Sequence, residues 1–234
     1  MSIFDTVITY IKAFFISIHC VIIAVITILV SPIDRKGKIT HYLSKLFGGG
    51  ILFIAGVKVI TDGRDFLDEK ANYIFISNHQ SFFDIPILMK AIPNNVRFIY
   101  KDSLTKIPVL GWGMYLGGYI PINRENARDA MRSLKKAALR IMNGISVTIF
   151  PEGTRSIDGS IGEFKRGMFV MADEAKVPLI PVTISGSVNI LGRNKFQIKS
   201  GTVKVVFDKP LEYKKDKNFL EEIRNIVIKN YIQK

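Results

Sequence analysis

The chain has 234 residues, 48% of them apolar, with 33 Lys and Arg against 20 Asp and Glu and a net charge of +13. That length suits one α/β domain with a short extension, and the apolar share is enough for a core plus a membrane-bound face. One cysteine excludes an intramolecular disulfide, one cysteine with three scattered histidines makes no metal site, and a basic chain without an Arg-rich arm or nucleic-acid motif points to an anionic membrane as partner, not nucleic acid.

Residues 13–30 are the most apolar stretch, broken only by Ser17, His19 and Thr27. Lys12 precedes it; Arg35, Lys36 and Lys38 follow. Its length is at the short end for a membrane span. A secretory signal is the competing reading, opposed by the lack of a small-residue cleavage site and by the turn-like Ser31-Pro32-Ile33-Asp34. A second apolar stretch, 46–57, contains Gly48-Gly49-Gly50 and is too short to cross a bilayer alone. The two stretches predict either a helical hairpin embedded in one leaflet or a single span with its basic side inside. Both put the rest of the chain at the cytoplasmic face of the inner or plasma membrane. The expected division is an anchoring segment, 1–56, and a main domain, 57–234. Cys20 and His19 read as packing or interface residues of the anchor, and His41 as part of a polar connector.

Tyr73-Ile74-Phe75-Ile76 reads as a short buried strand. It runs into Ser77-Asn78-His79-Gln80-Ser81-Phe82-Phe83-Asp84, after which residues 85–89 read as the start of a helix. On one continuous helix His79 and Asp84 would point roughly 140° apart. They meet only if His79 is in the loop and Asp84 is at the helix start. Ser81 and Asp84 have capping-box spacing; alternatively Asp84 is itself the N-cap, with Pro86 in the first turn. Either way a carboxylate lies near a helix N-terminus, where the dipole favours its ionised form. Such a carboxylate fixes the imidazole tautomer, and the other ring nitrogen is then free to take a proton from a substrate hydroxyl.

Lys101 ends the strand pattern of 96–100, and Arg124 follows that of 119–123. Trp112 sits among Gly111, Gly113, Gly117 and Gly118, an aromatic, glycine-rich segment suited to core packing or to a groove. Residues 126–143 form an amphipathic helix with Ala127, Ala130, Met131, Leu134, Ala138 and Ile141 on one stripe, closed by Gly144. The strand of 145–149 leads into Phe150-Pro151-Glu152-Gly153-Thr154-Arg155-Ser156. Gly153 permits close backbone approach to a ligand, Arg155 offers a fork of donors suited to phosphate, and Glu152 could orient that guanidinium or bind a glycerol hydroxyl. Residues 200–208 alternate as a half-buried strand, and 218–231 read as a closing helix with Phe219, Ile223, Ile226 and Val227 inward. If the strands are parallel, His79, Lys101, Arg124 and Arg155 gather along one sheet edge.

Taken together, these segments resemble the glycerolipid acyltransferase family, specifically its 1-acyl-sn-glycerol-3-phosphate acyltransferases. His79 to Asp84 resembles the H-x-x-x-x-D motif. Gly118-Tyr119-Ile120-Pro121-Ile122-Asn123-Arg124 is similar to the second motif, residues 150–156 to F-P-E-G-T-R-S with Phe164-Lys165-Arg166-Gly167 after it, and Val177-Pro178-Leu179-Ile180-Pro181-Val182 to the proline-containing fourth block. The resemblance implies an α/β fold with a mixed, largely parallel sheet flanked by helices, behind an N-terminal membrane-embedded helical segment. It implies acyl transfer from acyl-CoA or acyl carrier protein, with no cofactor, to the 2-hydroxyl of lysophosphatidic acid, forming phosphatidic acid. His79 would be the base and Asp84 its orienting partner. Lys101 and Arg155, and less directly Arg124, would hold the phosphate, with Glu152, Gly153 and Thr154 shaping that pocket. Transfer to another lysolipid and a non-catalytic basic membrane-binding protein are the alternatives. A hydrolase would need a G-x-S-x-G elbow that the chain lacks.

Overall fold

The computed structural model describes residues 3–123, 125–193, 196–216 and 218–232. Helix α1, Ile3–Val30, begins ten residues before the apolar stretch of 13–30, because Ile3, Phe4, Val7 and Ile11 continue its composition and Asp5 occupies the first turn, where the dipole favours a carboxylate. Helix α2, Lys38–Ala55, also starts earlier than expected and takes in His41, which is therefore helical rather than in a connector. The cause lies in the preceding turn, where Asp34 accepts the N–H of Ile39 at 3.1 Å and of Thr40 at 2.7 Å. Gly56, at φ 72°, closes the helix.

The two helices form an antiparallel pair. Lys12 Nζ donates to the Ala55 carbonyl at 2.8 Å, and His19 Nε2 lies 3.2 Å from the carbonyls of Leu46 and Phe47. The glycines of α2 are required by proximity: a Cβ on Gly50 would lie 2.3 Å from the His19 ring, and one on Gly48 2.6 Å from the Pro86 carbonyl. The pair is not a detachable anchor, since Ile51, Leu52 and Ala55 belong to the main core.

The sheet has seven strands: β1 Val57–Asp62, β2 Ile74–Ser77, β3 Val96–Lys101, β4 Ile120–Ile122, β5 Ser146–Ile149, β6 Leu179–Ser185 and β7 Gly201–Phe207. Their order is β1-β7-β6-β2-β5-β3-β4, and every neighbouring pair is parallel except β6 with β7. Strands β2 and β6 are buried along their whole length, as parallel central strands covered on both faces are. Strand β7 alternates, burying Val203, Val205 and Phe207.

Helices α3 (Asp84–Ala91), α4 (Leu110–Leu116), α5 (Ala127–Met142), α6 (Met168–Ala175), α7 (Ser187–Ile190) and α8 (Phe219–Asn230) complete the fold. The two-residue period of β2 divides the core between the faces of the sheet. Phe75 packs with residues of α2 and α3; Ile74 and Ile76 pack with Leu134 and Ile141 of α5, Met171 of α6 and Ile223 of α8. Helix α5 is capped by the Asn126 side chain, which accepts from the N–H of Arg128 and Asp129, a contact that contributes about 1 kcal/mol. Its buried stripe is Leu134, Ala137, Ala138 and Ile141; Ala127 and Met131, expected on it, lie exposed in the first turns, before the helix reaches its neighbours. Ile226 of α8 is half-buried, at the margin of the inward face.

Arg97 is the largest fully buried side chain, at 1% exposure. It donates to the carbonyls of Val96, Gly117 and Gly37 and to Asn95 Oδ1, and stands over the Tyr119 ring. One guanidinium thus ties the turn between α1 and α2 to β3 and to the end of α4. Burial lowers its pKa, and the ring of acceptors compensates the lost hydration.

Candidate active site

Strands β2, β5, β3 and β4 run parallel and side by side, so their C-terminal ends share one edge. The loop after β2 is held there by its own side chains. Asn78, fully buried, accepts the Ile184 N–H at 2.8 Å and donates to the Ile184 carbonyl at 2.9 Å, imitating one more strand pairing with β6. Asn78 stands at the head of the motif segment that runs to Asp84, and its part in holding the loop depends on β6, which is distant in sequence.

His79 Nδ1 lies 2.8 Å from Asp84 Oδ2. The same oxygen accepts the N–H of Gln80 at 2.7 Å and of Ser81 at 2.8 Å. Of the two capping arrangements expected from the sequence, the Ser81–Asp84 contacts occur, since Asp84 Oδ2 accepts the Ser81 N–H and Ser81 Oγ accepts the Phe83 N–H at 3.0 Å, whereas Asp84 is not itself the N-cap. Helix α3 begins at Asp84 itself after an uncapped Phe83, and the carboxylate turns back into the loop, where consecutive N–H groups form a nest for it. Asp84 is completely buried, and one of its oxygens faces three donors. The His79 side chain is 13% exposed and stacks on Phe150 with ring centroids 4.0 Å apart. Among the described residues nothing hydrogen-bonds Nε2. The imidazole is fixed in tautomer and plane, with its free nitrogen available to a ligand.

The loop after β5 wraps against this one. The His79 N–H donates to Glu152 Oε1 at 2.7 Å, and the Ser156 N–H to the His79 carbonyl at 2.8 Å. Glu152 Oε2 accepts the Gly162 N–H at 3.0 Å. Glu152 therefore engages neither Arg155 nor an open pocket; with 6% exposure and both oxygens on backbone donors, it ties three loop segments together. Burial pushes its carboxyl pKa up, opposed by those two N–H groups. Gly153 takes φ 75°, and the position its Cβ would occupy is 3.2 Å from Lys165 Nζ, a second cation at this loop. Thr154 is exposed.

Arg155 lies across Phe82, its guanidinium carbon 3.3 Å from the ring centroid, and its Nη1 is buried without a hydrogen-bond partner. The Phe82 contact puts it beside the His79 loop. Lys101 is on the same sheet edge but two strands from β2, half-exposed and 3.5 Å from Glu125. Arg124 lies outside the described residues.

Beside the His79–Asp84 loop is an apolar cavity of about 480 Å³, within the usual range for ligand pockets. Phe82 and Phe83 line it from the loop, Ile16 and Ile23 from α1, and Leu110 and Met114 from α4. Its walls come mainly from the segment that sequence periodicity treated as a membrane anchor and from the glycine-rich segment around Trp112, for which a groove was one of the two expectations. Gly113 is a packing residue, since its Cβ would meet Ala24 of α1 at 3.0 Å, while Trp112 points outward with 53% exposure. No cluster of His, Cys, Asp and Glu able to hold a metal occurs among the described residues.

These features define a class: α/β proteins that carry a His–Asp pair at the C-terminal end of a central parallel strand, with an arginine-bearing loop and an apolar cavity beside it. The chain belongs to the Acyltransferase family, whose model matches residues 58–185. The chain is 34% identical to 1-acyl-sn-glycerol-3-phosphate acyltransferase BAT2, chloroplastic, of Brassica napus over 82% of its own length and 56% of that protein. It is 31% identical to human 1-acyl-sn-glycerol-3-phosphate acyltransferase beta, over 80% of this chain and 68% of that one. The chain thus spans little more than half of the length of the Brassica relative. The crystal structure of the 1-acyl-sn-glycerophosphate (LPA) acyltransferase PlsC from Thermotoga maritima superposes with a TM-score of 0.82 over 97% of this chain and 95% of that one, at 24% identity, a likeness of fold.

Proposed function

We propose that this protein transfers an acyl chain from a thioester donor, acyl-CoA or acyl carrier protein, to the 2-hydroxyl of 1-acyl-sn-glycerol-3-phosphate, giving phosphatidic acid. The observation that carries this reading is the His79–Asp84 pair, in a loop whose Phe82 both stacks on Arg155 and lines an apolar cavity. Nε2 takes the proton of the acceptor hydroxyl as its oxygen attacks the thioester carbonyl. Asp84 stabilises the imidazolium, which returns the proton as the thiol leaves. The thioester is already a good acyl donor, so no covalent enzyme intermediate is needed. Arg155 and Lys165 hold the phosphate, with Lys101 and Arg124 contributing at longer range. Glu152 is a positioning residue that sets the height of His79.

The protein works at the membrane. Only 17% of the most apolar 18-residue window of α1 is buried, leaving Phe14, Phe15, Ile18, Val21, Ile22 and Val25 on an outer face. That face continues onto Trp112, Tyr115 and Leu116 of α4, which crosses α1 at Gly113. A lysolipid remains in the bilayer because each buried methylene contributes about 0.8 kcal/mol, so the site must reach into that layer. The basic net charge favours the anionic cytoplasmic leaflet.

An acyltransfer assay with lysophosphatidic acid and both donor types tests the reading. The wild type should form phosphatidic acid and His79→Ala should not, while still binding vesicles. Transfer by the His79 variant at the wild-type rate would remove the general base.

A further inference from the structure

Arg193 lies outside every motif considered so far, yet the fold delivers it to the site. It follows β6 and α7, and its neighbours are fastened to the His79 loop: Ser81 pairs with Gly192 in an isolated antiparallel bridge, and Ser81 Oγ donates to the Leu191 carbonyl at 2.7 Å. The Arg193 side chain extends to the Arg155 turn, where its Nη1 donates to the Arg155 carbonyl at 2.9 Å. Two guanidinium-bearing residues therefore flank the loop that carries the base.

Their charge is unbalanced. Neither arginine forms an ion pair with a carboxylate among the described residues. Asp84, whose field favours the Arg155 cation, forms no ion pair with it; one carboxylate oxygen is turned onto His79, Gln80 and Ser81. After burial, the charge of Arg193 is the next influence lowering the Arg155 pKa. Arg155 also keeps a buried Nη1 with no partner. Two adjacent cations and an unsatisfied buried donor call for an anion with several acceptor oxygens. A phosphate monoester carries about −1.5 to −2 charges at neutral pH and three terminal oxygens. A phosphodiester carries one charge and offers two such oxygens.

We propose that Arg193 is a second phosphate-gripping residue and that, with Arg155, it makes the acceptor site selective for a phosphate monoester over a phosphodiester. The inference rests on the reading of the acceptor as a phosphate-bearing lysolipid. Each guanidinium donates a charge-assisted fork to a different pair of oxygens. Lysophosphatidic acid satisfies both forks, whereas a lysophospholipid with a further headgroup on its phosphate leaves one cation under-compensated.

The test compares lysophosphatidic acid with lysophosphatidylglycerol in the same micelles, using wild type, Arg193→Gln and Arg193→Lys, each checked for an unchanged melting temperature. Arg193→Gln should lower the monoester-to-diester ratio of kcat/KM by about tenfold or more, mostly through the KM of the monoester, while the KM of the acyl donor moves less than twofold. Arg193→Lys, which keeps the charge without the fork, should fall between. A ratio unchanged in Arg193→Gln, or equal losses on both acceptors, overturns the proposal. If the wild type acylates neither acceptor, the acceptor reading itself fails. Calorimetry with glycerol 3-phosphate then decides on Arg193 alone: weaker binding by Arg193→Gln supports its role as a phosphate ligand, and equal binding removes it.

Discussion

The backbone N–H of His79 and the Oε1 of Glu152 are 2.7 Å apart, joining the ends of β2 and β5 through a buried carboxylate. Because Oε2 takes the Gly162 N–H as well, Glu152 is committed to holding loops. Glu152→Gln keeps the volume but presents an amide nitrogen to one of these two donors. The expected result is a kcat lowered by about tenfold with the acceptor KM changed much less, since a displaced base costs rate rather than binding. A KM effect as large as the kcat effect would return Glu152 to the substrate pocket.

Glu152 also gives a signed pH dependence. Its folded pKa is raised by burial, so the folded state binds the proton more tightly than the unfolded state. The cost of burying its charge is absent below the ordinary carboxyl pKa, grows as pH rises through the raised folded value, and is complete above it. Glu152→Gln does not titrate. The melting temperature of wild type minus that of the variant should therefore be larger at pH 5 than at pH 8. A difference of the opposite sign would mean that the two N–H donors outweigh burial.

Asp84→Asn preserves shape and can still offer one oxygen to the donors of His79, Gln80 and Ser81. It removes the charge that stabilises the imidazolium. A fall in kcat of about 10²- to 10⁴-fold is expected, with both KM values within about threefold of wild type. Rates near wild type would show that proton transfer does not depend on this pair.

Arg155 and Lys101 should separate in their effects. Arg155 lies against Phe82 in the His79–Asp84 loop, whereas Lys101 is two strands away beside Glu125. Arg155→Ala should raise the KM of a phosphate-bearing acceptor by about tenfold or more, and Lys101→Ala by only a few-fold. Steady-state kinetics with varied lysophosphatidic acid decides the order, and a larger effect at Lys101 would move the phosphate toward β3.

Membrane attachment is best tested without truncation, because Ile51, Leu52 and Ala55 of the N-terminal pair are core residues. Phe14, Ile18 and Ile22 follow one another at helical spacing on the exposed face of α1. Replacing all three with Lys should release the protein from sedimenting vesicles and leave its melting temperature in detergent nearly unchanged. The single tryptophan, Trp112, supplies a reporter. Its emission should be quenched by brominated lipid in wild type and much less in the triple variant. Equal pelleting of both proteins would locate the attachment elsewhere.

Local sequence determined much of this molecule. An uninterrupted apolar run specified the buried β2, alternation specified β7, and the periodicity of 126–143 specified α5, while β6 was not legible as a strand. The order of the His79, Glu152 and Arg155 segments along the chain also carried the chemistry, because each follows a strand whose end must emerge at the sheet edge. Only tertiary structure decided what depends on pairing between distant segments. It decided between the two placements of Asp84, turning the carboxylate back onto Ser81 rather than making Asp84 the N-cap, because the N–H groups of Gln80 and Ser81 converge there. It converted Glu152 from a substrate candidate into a strut, because its partners are backbone groups that no side-chain pattern reports. It brought Arg193 to Arg155 from 38 residues away and made the N-terminal helices walls of a cavity. Hydrophobic periodicity records which face of an element is buried; it does not record which neighbour buries it, and the site is made of those neighbours.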